Sequence, residues 1–215
     1  MKDQVQASIE LTNLMNKKEK FAFINISKSA IVALNKKNEN NIPSKFNKEI
    51  IRSINLTDKK VLKNIPLSLV EEVENKKHSG IGMVNDGRFF SPNLFEYYYE
   101  NDKSVYNSIF EFYIKNTSNV IVSFHDKKTI YKFMGFKTNV INVSFNNYYS
   151  RLEETFEKIA AFEGKVDYCL FDCSSLGLAL SNSIWNKLDM SIIDLGKTIS
   201  YSRTYNTAEW NAWEP

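Results

Sequence analysis

The feature that most constrains the fold is a regular alternation of apolar and amphipathic segments between residues 120 and 195. Four short apolar segments predict strands, at 120–124, 140–145, 167–173 and 191–195. The segments between them have helical spacing, at 126–134, 150–162 and 176–188. Crossovers of this length join parallel strands, and continuously apolar strands need cover on both faces. The sequence therefore predicts an α/β fold with a mostly parallel, Rossmann-like sheet and helices on both faces.

The first half of the chain is less regular and richer in helix. A short β-type segment at 21–26 leads into Ser27, a favourable N-cap, and then into a predicted helix at 29–36. Further helices are predicted at 45–54 and 67–76, and one or two more over 94–114. A glycine-rich loop is predicted at 78–92.

These patterns predict one α/β domain over residues 1–200. Residues 1–115 form its basic, helix-rich part with the first strand, and residues 116–200 form the regular βα part. Residues 201–215 are predicted to be a C-terminal tail, in which two tryptophans allow either a cover over the domain or a partner-binding segment.

The two cysteines, Cys169 and Cys173, lie four residues apart along a predicted strand. That spacing separates them by about 13 Å, which is too far for a disulfide. We therefore expect buried, reduced thiols and a cytoplasmic protein. The apolar runs are too short to cross a bilayer, and the first 20 residues lack the apolar core of a signal peptide.

The net charge of +3 is unevenly distributed. Residues 1–80 contain repeated lysine pairs, whereas residues 81–215 carry an excess of Asp and Glu. A basic segment favours a polyanionic partner such as nucleic acid, although solvated surface lysines explain the same pattern. The chain contains no HExxH, CxxC or Walker motif, so hydrolase and NTPase functions have no support from motifs.

Candidate site residues follow the predicted strands, because ligands of open parallel sheets bind beyond the carboxyl ends of the strands. The turn Ser174-Ser175-Leu176-Gly177 opens a helix, and its small residues either cradle a phosphate at the helix N-terminus or allow tight packing of helix on strand. Asp172 either orients sugar hydroxyls or caps the next helix. Asp194 is a candidate to hold a ribose or sugar hydroxyl.

His125 and Arg88 also have two open interpretations each. Ser123 and His125 follow the first regular strand, and His125 is either a surface residue or a catalyst. Arg88, in the glycine-rich loop, either neutralises a pyrophosphate through its planar guanidinium or forms a surface ion pair.

Several segments resemble the GT-D class of glycosyltransferases, which is found in bacteria and phages. The likeness covers residues 21–200 and is best in LFDCSSLGLALSNSIW and SIIDLGK, which match a strand, turn and helix and then a strand of the family. VINVSFNNYYSRLEETFEKI, KNIPLSLVEEV and NDGRFF resemble upstream segments, and the last of these aligns Arg88 with a family arginine.

The chain departs from the family after its first strand. Family members have Arg-x-Gly-Asp-Gly-Glu there, and the resemblance implies a metal and sugar-donor role for the two acids. This chain has Asn25-Ile26-Ser27-Lys28-Ser29-Ala30, so both acids are missing. Lys28 can instead neutralise the pyrophosphate directly. The sequence therefore predicts no particular cofactor. Use of a divalent metal stays open, although the acidic residues that would bind it are missing.

The resemblance implies transfer of a sugar from a nucleotide-diphosphate sugar to an unknown acceptor, for example a modified phage DNA base or a glycan. In this interpretation Arg88, Asp172 and Asp194 are catalytic. The nucleotide-binding residues are predicted to be Ser27, Lys28, Ser123, Ser174, Ser175 and Gly177. The alternative is a nucleotide or nucleotide-sugar binding protein that lost catalysis and acts through binding or through a partner.

Overall fold

The computed structural model describes residues 4–35, 42–65, 89–90 and 94–199. Within these ranges, seven strands form one sheet in which all six pairings are parallel. The strands are β1 (Ala22–Asn25), β2 (Val61–Asn64), β3 (Phe89–Phe90), β4 (Asn119–Ser123), β5 (Asn139–Asn142), β6 (Tyr168–Asp172) and β7 (Ser191–Asp194). Their order across the sheet is β3-β2-β1-β7-β6-β4-β5.

The helices of the described part of the chain are α1 (Gln4–Lys17), α2 (Lys28–Asn35), α3 (Ser44–Ile54), α4 (Leu94–Asn101), α5 (Lys103–Ile109), α6 (Lys127–Met134), α7 (Leu152–Ala160) and α8 (Ser175–Lys187). A π-helical turn, Phe110–Ile114, continues α5, and a 3-10 turn, Tyr148–Arg151, precedes α7. None of these helices has both the length and the apolar character needed to span a bilayer.

The predicted fold class is confirmed: the protein is α/β with a Rossmann-like parallel sheet. The sequence pattern did not predict β2 or β3. Two of the four residues of β2, Lys63 and Asn64, are polar, yet both are buried. The predicted helix at 67–76 and the tail at 201–215 lie outside the described residues. So does the glycine-rich loop predicted at 78–92, except for Phe89–Phe90, where the loop prediction is wrong because these residues pair with β2 as strand β3.

Helices cover the sheet in two layers, because successive strand side chains point to opposite faces. The α8 layer contains α2, α3, α7 and α8, and strand residues such as Ile24, Val122 and Phe171 pack into it. The α6 layer contains α1, α4, α5 and α6, and strand residues such as Phe23, Ile121 and Leu170 pack into it. This two-sided cover explains why the strands read as continuous apolar runs.

Both cysteines lie within this core and are unpaired and buried. Burial raises the pKa of each thiol, because a thiolate is poorly solvated there. We therefore expect neither to react with Ellman's reagent in the native protein, and both to react once guanidinium unfolds it. Rapid labelling of either thiol in the native state would contradict this burial, and the absorbance at 412 nm provides the measurement.

Candidate functional site

The sheet forms a crevice where β4 and β6 lie side by side. From β4 the chain continues through α6, in the α6 layer, to β5 at the edge of the sheet. From β6 it continues through α8, in the other layer, to β7 in the opposite direction. Two neighbouring parallel strands whose connections diverge leave a crevice at their carboxyl ends, where ligands of such sheets bind.

Asp172 ends β6 inside this crevice and is buried. Its Oδ2 accepts a hydrogen bond of 2.7 Å from the Ser123 hydroxyl, which lies opposite it at the end of β4. Burial raises the pKa of Asp172 to about 7, and the bond from Ser123 opposes this only in part. The carboxyl group is therefore poised to gain or lose a proton near neutral pH.

His125 is the second titratable side chain in the crevice. Its Nε2 lies 3.7 Å from Asp172 Oδ2, and its side chain is 18% exposed. The backbone around it is fixed, because its N–H donates to Ser123 Oγ and its carbonyl accepts from the Asn142 side chain. The imidazole is thus held between the buried carboxyl group and solvent. His125 is therefore neither fully exposed nor remote from Asp172.

Three hydroxyl groups join the starts of two helices near the same edge of the sheet. Ser29 Oγ lies 2.8 Å from Ser27 Oγ and 2.7 Å from Ser174 Oγ. The Ser174 hydroxyl also donates to Ser27 Oγ at 3.4 Å. Ser27 and Ser29 flank the first residue of α2, and Ser174 precedes α8. We call this group the serine triangle.

The backbone at Ser174 is strained, with φ 51° and ψ −127°. Residues with side chains avoid this region, and such strain is usually found at functional sites, at a cost of about 1–3 kcal/mol. Ser174 nevertheless carries a hydroxyl that reaches the triangle. The strain therefore places a polar side chain where a glycine would be the less costly residue.

An aromatic wall borders the serine triangle. Phe124 packs edge-to-face on Phe145 with ring centroids 5.3 Å apart, and both contact Tyr148. Phe145 is 69% exposed, which is unusual for a large apolar ring. A cavity of about 610 Å³ lies between wall and triangle, and its lining residues are Ser29, Phe124, Phe145, Asn146, Asn147, Tyr148, Tyr149 and Ser174.

No family model, curated protein or solved structure matches this chain. The chemistry of the crevice is therefore inferred from its own residues.

The structure brings together several of the residues predicted from sequence. Ser27, the exposed Lys28 and Ser174 cluster at the two helix starts, and Ser123 contacts Asp172. Asp172 accepts from Ser123 and not from a backbone N–H of α8, so the helix-capping interpretation does not hold.

Two predicted phosphate-binding residues have structural contacts. Ser175 is buried, and its hydroxyl lies 2.9 Å from the Tyr148 hydroxyl, so what it can offer an anion is its backbone N–H at the start of α8. Gly177 faces Phe171, and a Cβ placed on it would lie 2.8 Å from Phe171 Cγ. The tight-packing interpretation of the turn thus accounts for Gly177.

The two predicted carboxylates lie on opposite faces of the sheet. Asp194 is in register with Phe171, whose side chain packs in the α8 layer. Asp172 is the next residue along β6 and so points to the other face. Asp194 is buried and accepts a 2.9 Å hydrogen bond from the Gly196 N–H, which stabilises its own turn. Arg88 lies outside the described residues.

The residues of the described ranges do not fit a metal ion. The first turn of α2 presents Lys28 and Ala30 where the acids of the resembled family stand. No group of three or more His, Cys, Asp or Glu residues in the described ranges is placed to hold one.

Three contributors to the crevice were not predicted from sequence as site residues. Ser29 completes the serine triangle, and Phe124 and Phe145 form the wall. The available signal was the position of each residue, since Phe124 and Phe145 end predicted strands and Ser29 begins a predicted helix. Their proximity depends on the strand order, which sequence periodicity does not encode.

Proposed function

We propose that this protein is a glycosyltransferase that binds a nucleotide-diphosphate sugar in the crevice and transfers the sugar to a hydroxyl or amine acceptor. The observation that carries the proposal is the serine triangle, which joins the N-termini of α2 and α8 beside an aromatic wall. The resemblance of the sequence to the GT-D class points in the same direction.

The diphosphate is assigned to the two helix N-termini. A helix N-terminus presents unpaired N–H groups and a partial positive charge, both of which favour an anion. Two such ends converge here, with three hydroxyl groups between them and the Lys28 ammonium group in the first turn of α2. Hydroxyls and a cation placed this way stabilise the charge that develops on the leaving diphosphate.

The nucleobase is assigned to the aromatic wall. An exposed ring that is held edge-on by its neighbours offers a rigid stacking face to a planar ligand. Phe145 is held edge-on by Phe124 and makes a tilted ring contact with Tyr148. The exposed Asn146 and Asn147 follow Phe145 in the cavity lining, and their amides can pair with the edge of a base.

Proton transfer is assigned to Asp172 and His125. In the reaction, an acceptor oxygen or nitrogen bonds to the anomeric carbon, the bond from that carbon to the phosphate oxygen breaks, and the acceptor proton leaves. A carboxylate with a pKa of about 7 is well matched to take that proton at neutral pH. His125 lies on the solvent side of Asp172 and can pass the proton outward.

A second candidate function is binding without transfer. It is favoured by Lys28 and Ala30, which replace the acids of the resembled family. Release of free nucleoside diphosphate from UDP-glucose or GDP-mannose, followed with and without Mn²⁺ and with candidate acceptors, separates the two. Tight binding with no release under any condition would favour the binder.

The proposed phosphate site is tested by adding a negative charge to it. We expect titration calorimetry with UDP, GDP and ADP to detect binding to the native protein. Ser174→Asp should weaken that binding at least tenfold, because the new carboxylate repels the diphosphate.

The matched control is Ser108→Asp, which adds the same charge to an exposed position on α5. It should leave affinity within about twofold, since exposed charges more than about 8 Å apart are largely screened at physiological salt. Equal losses in both variants, or no binding of any nucleotide by the native protein, would contradict the proposal.

A further inference from the structure

A second cavity lies at the amino edge of the sheet, opposite the crevice. Its volume is about 680 Å³, and its lining residues fall within 15–20, 112–118, 164–168 and 189–191. These segments lead into β1, β4, β6 and β7, which are parallel and so begin at one edge. More than half of the lining residues are exposed, so a ligand can reach them from solvent. We call this the amino-edge cavity.

Phe112 gives the amino-edge cavity an exposed aromatic ring. It is 71% exposed and lies within the π-helical turn Phe110–Ile114. The Lys115 N–H closes this turn by donating to the Phe110 carbonyl at 2.9 Å, and Phe110 and Ile114 pack into the α6 layer. Turns of this kind are rare and are frequently found at functional sites. The turn thus anchors two apolar residues in the core and leaves the ring between them open to solvent.

Helix C-termini set the electrostatics of this edge. The helices α1, α7 and α8 and the π-helical turn all end just before the lining segments. A helix C-terminus carries a partial negative charge and attracts cations. Lys20 shows this effect, because its ammonium group donates to the carbonyls of Trp185 and Leu188 at the end of α8, at 2.6 Å each. This edge is therefore the electrostatic opposite of the crevice and is unsuited to a diphosphate.

The charged residues of the lining balance one another. Three are lysines and three are acids: Lys18, Lys20, Lys165, Glu19, Asp167 and Asp189. A ligand with a net charge of either sign would meet like charges here, whereas a neutral ligand rich in donors and acceptors meets partners for both. Asp167 accepts a 3.1 Å hydrogen bond from the Ser118 N–H, and an exposed carboxylate with about four lone-pair sites can accept further ones.

We propose that the amino-edge cavity binds a neutral oligosaccharide, with one sugar ring packed on Phe112 and its hydroxyls bonded to Asp167 and Asp189. A sugar ring has a face of C–H groups, which suits the electron-rich face of an aromatic ring. Its hydroxyls both donate and accept, and the bonds that they donate to a carboxylate are among the stronger ones. This site does not depend on the proposed function, because it lies at the other edge of the sheet.

The test uses four neutral probes: maltohexaose, cellohexaose, mannohexaose and chitohexaose. We expect saturation-transfer NMR and titration calorimetry to detect binding of at least one of them to the native protein. Phe112→Ala should weaken that binding about tenfold, because the stacking face is lost. Phe112→Tyr should keep it, since the ring remains. Asp167→Asn should weaken it severalfold, because a neutral amide is a poorer acceptor than a carboxylate.

Phe145→Ala provides the matched control. It removes another exposed phenylalanine, 69% exposed, from the opposite edge of the sheet. It should leave the affinity for the saccharide unchanged, and saturating UDP should not displace the saccharide from the native protein.

The outcomes separate the amino-edge cavity from the crevice. If the native protein binds none of the four saccharides, the inference is overturned. It is also overturned if Phe145→Ala weakens binding and Phe112→Ala does not, or if UDP displaces the saccharide, because the saccharide then occupies the crevice. Loss of affinity confined to the Phe112→Ala and Asp167→Asn variants supports the inference. The nucleotide titrations judge the proposed function separately, and its failure would leave this site standing.

Discussion

Replacing Asp172 with Asn is expected to stabilise the protein at pH 8 by about 4 kcal/mol and to leave its stability at pH 4 nearly unchanged. The folded carboxyl group has a pKa of about 7, whereas an unfolded Asp titrates near 3.9. Between these values the folded protein holds a proton that the unfolded chain releases. Stability therefore falls as the pH rises through this window, and an asparagine removes that dependence while it keeps the bond from Ser123.

Urea unfolding of both proteins from pH 4 to pH 8 measures this difference. Asp189→Asn is the control, because it removes one negative charge from an exposed position and reports the effect of net charge alone. The same series on His125→Gln separates the titration of the imidazole. Parallel stability curves for the native protein and Asp172→Asn would show that burial does not perturb this carboxyl group.

The same replacement should lower the rate of the proposed sugar transfer by about 10²- to 10⁴-fold, the usual contribution of a general base. In the native protein the rate should rise with pH through about 7, as Asp172 ionises. A variant that is more stable and yet inactive distinguishes a functional carboxylate from a structural one. Full activity in Asp172→Asn would assign the proton transfer to another group.

The second large effect is expected at Gly177. Gly177→Ala introduces a methyl carbon 2.8 Å from Phe171 Cγ and 2.9 Å from Phe171 Cβ. These atoms are close to the backbone of β6 and cannot swing away, so α8 must shift from the sheet. We expect a loss of about 1–3 kcal/mol in the free energy of unfolding, although alanine's helix propensity offsets up to about 1 kcal/mol.

A double-mutant cycle with Phe171→Ala identifies the cause of this loss. Phe171→Ala removes Cγ, so Gly177→Ala should destabilise that background less than it destabilises the native protein. Urea denaturation of the four proteins provides the comparison. Additive effects would mean that the methyl group acts through the helix itself and not through contact with Phe171.

The crevice illustrates which parts of a site can be predicted from sequence. Periodicity placed Ser123, Asp172 and Ser174 at strand ends, because a strand followed by a helix is a local pattern. It did not predict that β6 pairs with β4, and the contact between Ser123 and Asp172 depends on that pairing across 49 residues. His125 was ambiguous for the same reason, since its proximity to Asp172 is non-local.

The parts that sequence missed share a physical cause. Strand β2 ends in Lys63 and Asn64, which are buried. Because both are polar, a hydropathy pattern predicts that they are exposed. Ser29 and Phe145 belong to the site through neighbours distant in the chain, Ser174 and Phe124.

The interior position of β1 in the sheet affects how the chain reaches this structure. The strand is made early in synthesis, yet one of its two partners is β7, which is made roughly 170 residues later. Until β7 emerges from the ribosome, one edge of β1 has no native partner. Closing such a long loop is slow, and exposed strand edges are prone to aggregation. We therefore expect the nascent chain to depend on chaperones until β7 is inserted.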